Sequence, residues 1–175
     1  QVTLIPNPFD PAAYYTKEAV EILNRSNAWL ADVVGIYPVR LDRGKQVEVP
    51  IEIFAGLVKQ GLNVRFIVVD FHSTGGDKVS YRLELKQKAL EMGVPIFFTS
   101  DLGGDKPLYH VDHKTVMDLY DFADVFIHPS RSECDPLTLP EAMWNRNLLM
   151  LNFDLPMFRL YEEFALMGKF SSNID

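Results

Sequence analysis

Residues 123–143 read Ala123-Asp124-Val125-Phe126-Ile127-His128-Pro129-Ser130-Arg131-Ser132-Glu133-Cys134-Asp135-Pro136-Leu137-Thr138-Leu139-Pro140-Glu141-Ala142-Met143. The first five form a short apolar run of the kind that a strand buried on both faces requires. Two prolines and several small polar residues then predict a loop, and residues 138–145 carry apolar side chains at helical spacing. The unit is therefore strand, loop, helix, and the same period recurs outward in both directions. Upstream, residues 31–37 and 63–69 are β-branched, apolar runs that predict strands. Residues 47–60 and 81–92 are helical patterns closed by Gly61 and Gly93. Residues 73–77 and 101–107 are rich in turn formers. Residues 94–98 predict a further strand with Pro95 at its start or on an edge, and residues 114–122 a compact helix. Downstream, residues 148–151 predict a fifth strand and residues 156–167 a closing helix. Apolar strands alternating with helices define a doubly wound α/β domain with a parallel sheet covered on both faces. Such sheets bind ligands outside the carboxyl ends of their strands, which puts the loops after Tyr37, Val69, Phe98 and Ile127 on the functional rim.

A chain of 175 residues fits one domain, and a globule of this size buries roughly 70% of the surface its unfolded form exposes. With 47% hydrophobic and 23% charged residues, the composition is that of a globular protein, and no apolar run is long enough to predict a membrane span. The single cysteine, Cys134, excludes an internal disulfide and a cysteine-rich zinc site, and it fits a reducing compartment, so a cytoplasmic location is expected. A net charge of −7 argues against nucleic acid as partner, because that binding rests on neutralising phosphates. A small anion needs only a local cation cluster. The densest one is Arg40-Leu41-Asp42-Arg43-Gly44-Lys45 at the end of a predicted strand. The chain opens on Gln1 with no signal-peptide layout, and a piece of a longer protein is expected.

Four features follow one another along the chain: Ile5-Pro6-Asn7, a strand followed by Arg40-x4-Lys45, the strand Ala123-Asp124-Val125 running to Pro129-Ser130, and Glu133-x7-Glu141-Ala142-Met143. In this order and spacing the chain resembles the C-terminal, donor-binding domain of the retaining group-1 glycosyltransferases of GT-B fold. The likeness spans nearly the whole chain. It implies a Rossmann-like sheet forming one half of a GT-B fold, with residues 1–175 as a single nucleotide-sugar-binding domain. The implied activity is hexosyl transfer from a nucleotide diphosphate sugar to an acceptor hydroxyl. A partner N-terminal domain would supply the acceptor site, together with any peripheral membrane contact, so the fragment alone is expected to be inactive.

The resemblance implies that Arg40 and Lys45 bind the diphosphate, that Glu133 faces the sugar hydroxyls and that Glu141 accepts from the ribose. Leu137 and Thr138 join the donor-binding set; Arg40, Lys45 and Glu133 are the implied catalytic residues. The chemistry suits them: breaking a sugar–phosphate bond without a metal builds negative charge on the leaving diphosphate, which fixed cations stabilise. No Asp-x-Asp motif is present, and neither a metal nor a cofactor is expected. Arg43 reads better as a solvated loop cation. Glu141 also has a structural reading, since Thr138-Leu139-Pro140-Glu141 matches a capping box. The two roles are compatible, since a helix start beside a diphosphate offers free amides and a favourable dipole.

Departures from the family pattern are Asp135-Pro136, where an aromatic-glycine pair is usual, Arg146 and Leu148 in place of a glycine and a proline, and Asp70 at the close of the second strand. Pro136 removes a backbone N–H beside the expected anion. His110-x2-His113 lacks the company of a zinc site, and Cys134 lacks a base to make it a nucleophile. His128 stands on the rim, either lining the pocket or satisfied structurally. Trp29 and Trp144 are expected to fill the core and helix–sheet contacts. Two other readings remain open at this point: a GT-B-fold epimerase or phosphorylase domain, and a nucleotide-sugar-binding module without chemistry.

Overall fold

A computed structural model describes residues 10–71, 78–104 and 110–170. Six parallel strands form one sheet: β1 (Val33–Arg40), β2 (Val64–Phe71), β3 (Ile96–Phe98), β4 (Val125–His128), β5 (Leu148–Asn152) and β6 (Ala165–Gly168). Their order is β3-β2-β1-β4-β5-β6. The helices are α1 (Lys17–Arg25), α2 (Glu48–Lys59), α3 (Lys78–Glu91), α4 (His113–Phe122) and α5 (Thr138–Trp144). The doubly wound expectation is met, with Pro95 just outside the edge strand β3. Ile5-Pro6-Asn7, His72, residues 73–77 and residues 105–107 lie outside the described residues.

The chain winds from β1 through α2 to β2 and through α3 to β3, then returns through α4 to place β4 on the other side of β1. Right-handed crossovers in opposite directions put the two sets of helices on opposite faces. The reversal between β1 and β4 is the switch point, where loops diverge and a crevice opens. Local pairing deepens it. β1 and β2 stay in register over eight residues, from Val33↔Val64 to Arg40↔Phe71, whereas β4 meets β1 only at Gly35 and Ile36. Pro38, with no N–H to offer a ladder, stands where that second pairing has ended.

The core lies along both faces of β1 and β2. Ile36, Phe66, Ile67 and Val68 are almost wholly buried, as is Phe54 of α2. Phe54 lies flat against Phe66, with centroids 5.4 Å apart, in space that a side chain at Gly35 would occupy. Asp124, in the turn before β4, accepts from the Val34 amide at 2.8 Å and returns its own amide to the Val34 carbonyl at 2.9 Å. Its carboxylate thus satisfies a backbone donor at the start of the central strand. Asp124→Ala is expected to cost about 1–3 kcal/mol, the penalty for an orphaned amide, read as a lower midpoint in urea unfolding.

Two expectations need correction, and one helix was not expected. Residues 156–167 do not form a closing helix: a 3-10 turn over Pro156–Tyr161 is followed by strand β6. The short apolar run 164–167 suits either structure, and the open edge of β5 decides it, pairing Leu149↔Ala165 through Asn152↔Gly168. Helix α1 lacked a sequence expectation; Thr16 caps it by accepting from the Ala19 amide, and Ala19, Ile22 and Leu23 bury its inner face. Trp144 is 83% exposed instead of filling the core. Trp29 does pack as expected, edge-on to Phe122 at 4.8 Å.

Candidate functional site

The crevice walls are the loops after β1 and β4, and backbone bonds join them. The Arg131 amide donates to the Gly44 carbonyl at 3.0 Å. The phenol of Tyr37, buried at the heart of β1, donates to the Lys45 carbonyl at 3.1 Å and shares a hydrogen bond with the Ser130 hydroxyl at 3.0 Å. Burial pushes its ionisation far above the ordinary range, so it serves as a neutral hydrogen-bonding post. Gln46 adopts the left-handed conformation (φ 53°). Its amide, oriented to satisfy both neighbours, donates to the Pro129 carbonyl (2.7 Å) and accepts from Arg131 Nε (3.3 Å). From the far side, Asn152 at the end of β5 donates to the Ser130 carbonyl at 3.0 Å. The cation loop and the glutamate loop therefore form one rigid wall.

That wall brings Lys45 and Glu133, 88 residues apart in sequence, to 2.5 Å between Nζ and Oε1. His128 Nε2 reaches the same oxygen at 2.8 Å. Burial acts to raise the Glu133 carboxyl, but hydrogen bonds from His128, Lys45 and Ser130 outweigh it and hold the group at about 2, below its ordinary 4.5. Burial also lowers the pKa of His128, against the pull of Glu133. The imidazole is caged by Tyr37, Phe126 and Phe158, with centroids 5.0 to 5.5 Å away. A neutral ring that donates through Nε2 carries a bare Nδ1, and this atom is buried without a hydrogen-bond partner.

Both shifts have the same sign for stability. Each group is depressed on folding, so its contribution is complete above the unfolded value and is lost as pH falls through the folded one. For Glu133 the window runs from about 4.5 down to about 2. Urea unfolding across that range is expected to show a smaller loss of stability in Glu133→Gln than in the wild type.

Two adjacent hollows open along the wall. The first, of about 170 Å³, is lined by Arg40, Lys45, His128, Glu133, Pro136 and Thr138, with Tyr37, Pro38 and Val39 behind. The second, of about 330 Å³, is lined by Pro38, Val111, His113, Val116, Leu137, Thr138 and Glu141. Pro38 and Thr138 belong to both. All six expected site residues thus line one groove: Arg40, Lys45 and Glu133 at one end, Leu137 and Glu141 at the other, and Thr138 between. Arg40 is half-exposed, its Nε 3.7 Å from Asp42. Arg43 points elsewhere, making a two-pronged pair with Glu84 at 2.7 and 2.8 Å and lying over the Tyr81 ring. It is the loop cation the sequence suggested.

The capping box does not form. Leu137 is already helical, so Thr138 lies inside the first turn instead of in the extended conformation a cap needs. Its hydroxyl is buried without a partner, and the Glu141 carboxylate turns to His113 Nε2 at 2.8 Å. This His113–Glu141 pair joins the start of α4 to α5 and had no sequence signal, because the two residues come from different β-α units. The pairing of His128 with Glu133 was equally invisible, although the rim position of His128 was not. Asp70 is buried and held by the Ser100 amide at 2.8 Å; Cys134 and Asp135 are exposed. Among the described residues no group of three or more His, Cys, Asp or Glu side chains is placed to hold a metal. No helix among them is long and apolar enough to cross a membrane.

The six-stranded parallel sheet with helices on both faces is the Rossmann-like half of a GT-B fold. The family model for glycosyl transferases group 1 matches residues 23–147, and the chain belongs to that family. No curated protein matches the sequence. Solved structures share the fold at low identity. One described as trehalose-6-phosphate from E. coli bound with UDP-2-fluoro glucose is 14% identical, with a TM-score of 0.65 over 87% of this chain and 37% of that one. An α,α-trehalose-phosphate synthase (UDP-forming) from Burkholderia xenovorans, in complex with glucose-6-phosphate, is 14% identical with a TM-score of 0.68, over 90% of this chain and 36% of that one. The C-terminal domain of a glycosyl transferase group 1 family protein, LpcC, from Francisella tularensis is 17% identical with a TM-score of 0.63, over 94% and 82%. The chain thus spans little more than a third of the trehalose-phosphate synthase chains it matches.

Proposed function

We propose that this chain is the donor-binding domain of a retaining, metal-independent glycosyltransferase that moves a hexosyl group from a nucleotide diphosphate sugar to an acceptor hydroxyl. The observation that carries the reading is the meeting of Lys45 with Glu133 in the switch-point hollow beside Arg40. Arg40 and Lys45 take the diphosphate, Glu133 the sugar hydroxyls, and Glu141 the ribose in the second hollow, with Leu137 and Thr138 between. In the transfer the bond from C1 of the sugar to the phosphate oxygen breaks as the bond to the acceptor oxygen forms. The acceptor proton passes to the leaving diphosphate, whose charge the two cations stabilise. A metal is not needed for that charge balance. The nucleotide sugar seen in one structural neighbour supports the assignment of donor class.

The 175 residues are read as one domain of a longer, cytoplasmic protein whose other domain supplies the acceptor site and any membrane contact. The chain alone is then inactive. The test is incubation of the complete protein with UDP-, GDP- and ADP-sugars, following release of nucleoside diphosphate and the anomeric configuration of the product by NMR. Transfer with retained configuration supports the reading. Exposed Asp135 and the donorless Pro136 beside the first hollow motivate the alternative, a binding module without chemistry, which would bind nucleotide sugar and release nothing. An epimerase or phosphorylase would be distinguished by its product.

Within this reading His113 orients Glu141. His113→Ala is expected to weaken nucleoside diphosphate binding about three- to tenfold, the worth of one hydrogen bond of roughly 1 kcal/mol. Binding of inorganic pyrophosphate, which reaches only the first hollow, should be unchanged in the same titration.

A further inference from the structure

Within the groove the Lys45 charge that a diphosphate would take is already paired. Lys45 Nζ lies 2.5 Å from Glu133 Oε1, and the two side chains are only 17% and 11% exposed. His128 donates to that same oxygen at 2.8 Å from a position almost closed to solvent. The three groups differ in freedom. Glu133 is anchored by His128, and His128 is caged by rings; Lys45 rises on a flexible four-carbon stem from a loop. An anion entering the first hollow therefore meets Lys45 as the movable partner and Glu133 as a fixed like charge.

We propose that Glu133 competes with the diphosphate for Lys45, so that this carboxylate weakens the hold of the groove on free nucleoside diphosphate and drives its release once the sugar has left. The inference rests on the nucleotide-sugar reading above and adds a second task to Glu133. While the donor is intact, the sugar hydroxyls occupy the carboxylate and offset the loosening of the ion pair. After transfer that compensation is gone, the carboxylate faces an additional phosphate charge, and Lys45 returns to it. Neutral His128 cannot act as an alternative counter-ion, but its Nε2–H keeps Glu133 in place while Lys45 moves. Burial that keeps the imidazole uncharged fits this arrangement.

The consequence runs against the usual expectation for a site residue, because removing the charge should tighten binding. Glu133→Gln keeps the shape and an oxygen for both Lys45 and His128 but removes the competing charge. Calorimetric titration of the complete protein with UDP, GDP, ADP and pyrophosphate should show E133Q binding the preferred nucleoside diphosphate about tenfold more tightly than the wild type, the scale of one charge-assisted hydrogen bond. The gain should be smaller for the matching nucleotide sugar, which loses a hydroxyl contact. It should be smaller in the Lys45→Ala background, where no competition for the ammonium remains and only direct like-charge repulsion is relieved, which guards against a gain from some unrelated change in fold. If the wild type binds a diphosphate and E133Q binds it equally or less well, this inference is overturned and the donor-site reading stands. If the wild type binds none of the probes, the donor-site reading falls and the inference with it.

Discussion

Lys45→Ala is expected to lower kcat/KM for sugar transfer by the complete protein by about 10²- to 10³-fold, the range seen when one preorganised donor is withdrawn from a developing negative charge. Three features place it at that scale. The ammonium is largely shielded from water, at 17% exposure, so it acts in a medium where its field is weakly screened. Its backbone is pinned through the Tyr37 phenol and the Gly44–Arg131 bond, so little reorganisation is needed when charge develops. The loss also leaves Glu133, a largely shielded carboxylate still held by His128, without its counter-ion beside the leaving group. The effect should fall mainly on kcat, since the cation matters most after the sugar–phosphate bond has begun to break. Arginine should restore only part of the rate, because its broad guanidinium cannot occupy the place of a compact ammonium at a Glu133 oxygen already shared with His128. Steady-state kinetics of the wild type, Lys45→Ala and Lys45→Arg read all three expectations. A rate within about threefold of wild type for Lys45→Ala would remove Lys45 from the chemistry, since one charge-assisted hydrogen bond is worth more than that.

The largest effect on stability is expected at the contact between α2 and the centre of the sheet. Phe54 is fully buried, and its removal should cost about 3–5 kcal/mol, against a total stability of order 5–15 kcal/mol for a domain. The reverse change is also harmful. A methyl group at Gly35 would come within 2.2 Å of Phe54 Cζ, an overlap that neither strand nor helix can relieve without moving, so Gly35→Ala should cost about 1–3 kcal/mol or more. The two sites are one contact and should not add. Gly35→Ala in a Phe54→Leu background is expected to cost less than in the wild type, with a coupling of about 0.5–3 kcal/mol in urea unfolding midpoints. Additive losses would mean that Gly35 is needed for some reason other than room for the ring.

What the sequence revealed follows from which forces are local. The strands from residue 31 to residue 151 were legible because each is a dense apolar run that only a sheet covered on both faces can bury. The ends were not. Strand β1 runs on to Arg40 because β2 remains beside it in register, which no pattern within residues 31–40 announces. Strand β6 exists because β5 presents an open edge, and residues 164–167 alone fit a helix as well. At the site, Arg40, Lys45, Glu133 and Glu141 were named from spacing and family likeness, and the fold gathers them into one groove. Their partners were hidden: the contacts of Lys45 with Glu133 and of His113 with Glu141 cross from one β-α unit to another, and that of His128 with Glu133 depends on how the loop between them folds back. The failed capping box shows the same limit from the other side. Its four-residue pattern was sound, but the helix begins at Thr138 itself, and the Glu141 carboxylate found a partner on α4.

The central claim is that the groove between β1 and β4 holds a nucleoside diphosphate. Calorimetric titration of the chain with UDP, GDP and ADP, repeated on Arg40→Ala and Glu141→Ala, tests it most directly. The account expects one of the three to bind with its affinity reduced about tenfold or more in each variant, as loss of a charged partner implies; binding that neither substitution weakens would place the nucleotide elsewhere and contradict it.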